Sequence, residues 1–169
     1  MLQKTDRSET LSDSIFKFKK GSSQTGYLGF QLSGTCYAIN IQHVINIIEH
    51  PSLIYLSHMS PPVVAMQHHG ENFIPILDFA GYRLNTNIDQ NNYPKVLVLS
   101  ENCFRKDKPF GLLVDNILDI VYFKQKDLIK NNHPFDNLLP AYYYAISKHS
   151  SNNVLVYLLD INDLANQID

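Results

Sequence analysis

The sequence predicts an all-β protein with minor α content, and three features carry that prediction. Short apolar runs, several with strict alternation, recur along the chain between turn-forming clusters. Helical spacing shows in only two places, Ile41 to Ile48 and Ile161 to Ile168. Two strand-like runs end alike, in Leu77-Asp78-Phe79 and Leu159-Asp160-Ile161, a faint internal echo. About seven short strands with so few helices argue a barrel or sandwich rather than a strand-helix-strand layout.

Each element has its own warrant. Residues 1–26 are polar and rich in Ser, Thr and Lys apart from Ile15, Phe16 and Phe18, so they read as a loose arm ahead of one domain at 27–169. Leu28, Phe30 and Leu32 alternate with Gly29 and Gln31, a half-buried strand, and Ser33-Gly34-Thr35 turns the chain into Cys36 to Ile39. Ile41, Val44, Ile45 and Ile48 fall at i, i+3, i+4 and i+7 behind Asn40, which predicts a short capped helix stopped by Pro51. Ser52 to Pro62 ends in two prolines and is expected as an extended connection. Val63 to Met66 is apolar, Gln67 to Gly70 is a polar turn, and Phe73 to Leu77 is a strand that Pro75 places at an edge or bulge. Asn85 to Asn92 is an Asn-rich loop. Val96 to Leu99 and Phe110 to Val114 form a buried pair joined by the charged segment from Ser100 to Pro109, and Asp115-Asn116 turns into Ile117 to Phe123. Lys124 to Asn137 is a long loop holding one helical turn near Leu128 and Ile129. Val154 to Leu159 runs into a closing helix that Asp160 caps.

Composition removes several function classes. The chain has 14 Lys plus Arg against 16 Asp plus Glu, and a formal charge of −2 attracts neither nucleic acid nor an anionic membrane. No apolar run approaches the ~20 residues of a membrane span, and no secretion signal opens the chain, which places it in the cytoplasm. Cys36 and Cys103 read as two reduced thiols in apolar settings. The adjacent His68 and His69 point to opposite faces if extended, and nothing at ligand spacing joins them, so neither metal nor cofactor is expected. An enzyme needs a nucleophile with its base, paired carboxylates or a phosphate loop, none of which can be assembled. A single-stranded nucleic-acid-binding barrel is the other alternative, given ten Tyr and nine Phe. It lacks a basic stripe: Lys17, Lys19 and Lys20 sit in the arm, and Arg105, Lys106 and Lys108 share a segment with Glu101 and Asp107.

The order of pieces over most of the chain, from about Tyr27 to Ile168, resembles that of CheW-like domains, coupling modules of bacterial chemosensory arrays. The pieces are Phe30 to Leu32, Tyr37 to Ile39, Val44 to Ile47, Leu56 to Pro62, the Gly70 turn before Pro75-Ile76-Leu77-Asp78, Gly111 to Ile117, and Leu158 to Leu164. The resemblance implies two packed SH3-like five-stranded β-barrel subdomains with short helices around a shared apolar core. It also implies a non-enzymatic adaptor whose partners are a chemoreceptor-like protein and a CheA-type histidine kinase. The partner surface it suggests comprises Gln67, His68, His69 and Gly70, the edge near Pro75, and the outward side of the 41–48 helix with Val44 and Ile47. At the turn, the family's Asn-Leu-Arg-Gly is replaced by Gln67-His68-His69-Gly70. His69 thus stands where the family has an arginine, and its single donor cannot reproduce a bidentate pair with a carboxylate.

Overall fold

The computed structural model describes residues 24–80, 95–100, 108–137, 139–149 and 152–168. The Asn-rich loop, Cys103, most of the charged 100–109 segment and most of the N-terminal arm lie outside them. Two six-stranded sheets carry the fold.

The first sheet begins as a hairpin. β1 (Gln24–Leu32) pairs with β2 (Thr35–Asn40) through the turn at Ser33 and Gly34, both at positive φ. Asp115, expected as a turn former, also ties this turn down: its Oδ2 accepts from the Ser33 amide at 2.6 Å, while its own amide donates to the Gln31 carbonyl. β9 (Asn116–Lys124) lies beside β1. The long loop predicted after Lys124 is only partly a loop: a 3-10 turn at Gln125–Asp127 leads into β10 (Ile129–Lys130). β11 (Tyr143–His149) and β12 (Asn152–Leu159) close the order β10-β11-β12-β2-β1-β9. Asp160 then caps α1 (Ile161–Ala165), accepting from the Asn162 amide at 2.9 Å, as predicted.

The second sheet corrects one prediction. Residues 41–48 are not a helix: a 3-10 turn at Ile41–His43 leads into β3 (Val44–Ile48). Asn40 does cap, accepting from the Gln42 amide at 3.0 Å, but only for that turn. Four β-branched residues in five, Val44, Ile45, Ile47 and Ile48, favour extended backbone. A register break between Val44 and Asn46 in the pairing with β7 (Lys95–Leu99) shifts the alternation, and so imitates a 3.6-residue period. The connection after Ser52 contains a short strand, β4 (Leu53–Tyr55), and β5 (Val63–His69), β6 (Asn72–Leu77) and β8 (Phe110–Val114) complete the order β3-β7-β8-β6-β5-β4.

The two sheets have the same plan. Taken inward from β10 and from β4, each is a short edge strand, a hairpin (β11–β12 or β5–β6), one parallel pairing (β12 with β2, β6 with β8), and two further antiparallel strands. Leu159 faces Ile39 in one parallel ladder and Leu77 faces Leu112 in the other. The echo between Leu77-Asp78 and Leu159-Asp160 therefore marks equivalent ends of equivalent strands. Each sheet has one strand more than the five expected, because the two- and three-residue edges β10 and β4 join the ladders.

Packing divides into three apolar clusters. Ala65, Ile74, Ile76, Val96, Val98 and Leu113 fill the interior of the second unit, and Ala38, Phe123, Ala145, Val156 and Leu158 that of the first. Between the units, Phe30, Tyr37 and Ile39 from one sheet meet Leu77, Leu97, Phe110 and Leu112 from the other. Strands β7 and β8 serve both an interior and this joint core, so they are buried on both faces and apolar without interruption. Gly111 is required where β6 and β8 run side by side. A Cβ there would collide with the Ile76 Cδ1 and lie 2.7 Å from the Val96 Cγ1, both on fully buried residues.

Candidate functional site

Alternation along β6 puts Phe73, Pro75 and Leu77 on one face. Leu77 is fully inside the joint core, Pro75 is half-buried, and Phe73 is 55% exposed. An apolar stripe thus leaves the joint core and continues onto the surface. Across the hairpin, Met66 lies opposite Pro75 and His68 opposite Phe73, and Ile54 of β4 lies opposite Met66. The exposed His68 imidazole meets the Phe73 ring edge-on, with centroids 5.3 Å apart. Ile54, Tyr55 and Leu56 extend the apolar surface along the sheet edge. Burial first, and the Asp78 carboxylate second, push the Tyr55 phenol above its ordinary value. At neutral pH it remains a neutral donor.

The structure separates the residues expected to act together. Gln67, His68 and His69 belong to β5 rather than to a turn, since the alternation of Val63 to His69 continues up to the reversal. The turn is Gly70-Glu71, and Gly70 has φ +62 with open space around its Cβ direction. Glycine is needed there for its backbone and not for room, which fits the first central position of a two-residue hairpin loop. His69 faces away from His68 and is half-buried. Gln67 turns inward at 7% exposure, its Nε2 donating to the His68 carbonyl while Oε1 has no hydrogen-bond partner among the described residues. Pro75 immediately precedes Ile76, where the ladder to β8 begins, so among the described residues no strand pairs with that flank of β6 along Asn72 to Pro75, a place that suits a residue without an amide donor. Val44 and Ile47 stand on β3, at the opposite end of the sheet, half-buried against the joint core.

A second surface was missed by the sequence reasoning. Ile146 and Leu155 face each other across the β11–β12 hairpin, 49% and 42% exposed, at the place in the first sheet that His68 and Phe73 hold in the second. The tyrosine cluster flanks it: Tyr142 and Tyr143 are exposed, and Tyr144 is half-buried against the Tyr157 ring. The run from Val154 to Leu159 is apolar at every position, so the sequence offered no sign of which side was left bare. Among the described residues, no group of three or more His, Cys, Asp or Glu is placed to hold a metal ion. None of their helices is long and apolar enough to cross a membrane.

The sequence pattern of the CheW-like domain matches residues 26–169. Among solved structures, the scaffolding protein TtCheW from Thermoanaerobacter tengcongensis shares the fold, with a TM-score of 0.64 at 10% identity over 81% of this chain and 84% of that one. No curated protein matches the sequence.

Proposed function

We propose, since the chain belongs to the CheW-like domain family of scaffold and adaptor proteins, that it is a non-enzymatic cytoplasmic adaptor linking a chemoreceptor-like protein to a CheA-type histidine kinase. The observation that carries this reading is the apolar stripe from Leu77 through Pro75 to Phe73, which passes from the joint core to the surface without a polar break. Exposed apolar groups contiguous with a core, rimmed by His68 and Asn72, have the makeup of a protein interface: a desolvated centre within a polar rim. A pair of equivalent hairpins, one with Phe73 and one with Leu155, suits a protein that must hold two partners at once.

The test is reconstitution. The receptor's signalling domain, held on vesicles, is sedimented with the kinase of the same cell, with and without this chain. The kinase is expected in the pellet only when the chain is present. Kinase that pellets equally in its absence would remove the coupling role.

A further inference from the structure

The interior of the first unit opens at one end. Tyr143 and Leu158 face each other across β11 and β12, on the inward side that Ala145 and Val156 continue. Tyr27 and Leu128 pack against the same interior. Because β2 and β12 run parallel, with Ile39 opposite Leu159, the residues that follow, Asn40 and Asp160, emerge side by side. Together with Tyr142 and His43 these groups line a cleft of about 540 Å³, the mouth of the first unit. No Lys or Arg lines it.

The mouth offers acceptors and aromatic rings. Asn40 and Asp160 each give Oδ1 to a following amide, that of Gln42 and that of Asn162, so both turn starts are already capped. Asp160 Oδ1 also accepts from the Asn162 Nδ2, which leaves its Oδ2 without a partner among the described residues. His43 Nδ1 donates to the Ser100 carbonyl at 3.1 Å, so the neutral ring keeps Nε2 as an acceptor. The hydroxyls of Tyr27, Tyr142 and Tyr143 have no hydrogen-bond partner among the described residues. A carboxylate oxygen, a ring nitrogen and three aromatic rings, with no cation among them, complement a planar cation that carries several donors.

We infer that this mouth is a binding pocket for the guanidinium group of an arginine side chain carried by a protein partner. Lysine suits it less, since a compact ammonium neither stacks flat on a ring nor reaches separated acceptors at once. The pocket lies on the inward side of β11 and β12, apart from the outward pair Ile146 and Leu155. That the arginine belongs to a protein rests on the adaptor reading, because the exposed Tyr142 and Tyr143 border the β11–β12 hairpin; the preference for guanidinium does not.

Titration of the isotope-labelled full chain with acetyl-Gly-Arg-Gly-amide tests it, read from the amide resonances of His43, Tyr143 and Asn162. Saturable shifts are expected there, with binding at least ~10-fold weaker in Asp160→Asn. That variant keeps its cap, which asparagine serves as well as aspartate. The citrulline peptide, of the same shape without the charge, should shift nothing, and the lysine peptide should bind several-fold more weakly. Glu71→Gln, on the turn of the other sheet's hairpin, removes an equal charge and should bind as the wild type does. Wild-type affinity in Asp160→Asn overturns the pocket, as do an equal loss in Glu71→Gln or equal binding of the lysine or citrulline peptide. Asp160→Asn should also weaken the binding of one partner of the intact adaptor, and unchanged binding of both would overturn the assignment to a protein. No kinase or receptor enters the peptide titration, so its failure leaves the adaptor reading standing, and a failed sedimentation leaves the pocket standing.

Discussion

Phe30→Ala is expected to destabilise the fold by about 3–5 kcal/mol, the usual cost of removing a fully enclosed phenyl group. Phe30 comes from β1 and has no exposed surface. Its ring stacks on Tyr37 with centroids 5.8 Å apart, and the Tyr37 hydroxyl accepts from the buried Leu139 amide at 3.3 Å. A cavity there lies in the joint core, where side chains of both sheets meet, so it weakens the contact between units as well as the first unit itself. Chemical denaturation measures the loss. A lowered midpoint at unchanged slope is expected, whereas Ile54→Ala, on an exposed edge, should stay within ~0.5 kcal/mol of the wild type. Near-equal effects for the two would mean that the joint core contributes little.

Phe73→Ala should leave stability within ~0.5 kcal/mol but weaken partner binding by about 2 kcal/mol, roughly 30-fold in Kd. The two readouts separate because Phe73 is 55% exposed, so its loss opens no cavity in the fold, whereas the proposed docking mode would bury its ring under a partner. Leu155→Ala should act in the same way on the other hairpin. The two hairpins lie in different sheets and are not paired with one another, so their losses should add in the double variant. Titration calorimetry with each partner in turn checks both effects. A Phe73→Ala chain that binds both partners at wild-type affinity would locate recognition elsewhere.

Much of this architecture was legible because two-sided burial leaves an uninterrupted apolar run and one-sided burial leaves alternation. Val96 to Leu99 and Phe110 to Val114 show the first, Leu28 to Leu32 the second. Asp160 declared the closing helix by its capping chemistry. The error at Ile41 to Ile48 arose where local spacing and tertiary pairing diverge. A bulge slipped the strand by one residue, and only the β7 partner decides that such a run is extended. At the site, Gly70 was recognisable from its turn, but the inward orientation of Gln67 and the outward orientation of Phe73 depend on where the reversal falls. Moving that turn by a residue exchanges the two faces. The Ile146 and Leu155 pair left no sequence signal, because an apolar side chain buried in a core and one left on the surface read the same in the sequence.

The most direct measurement of the central claim is amide exchange on the full chain with and without saturating kinase regulatory domain, read peptide by peptide. An interface on the apolar stripe should slow exchange across Met66 to Pro75, together with the edge strand β4 at Leu53 to Tyr55, and leave the β7–β8 ladder as it was. Unchanged exchange across that hairpin in a complex shown to be saturated would contradict the assignment of the stripe as the surface through which this adaptor works.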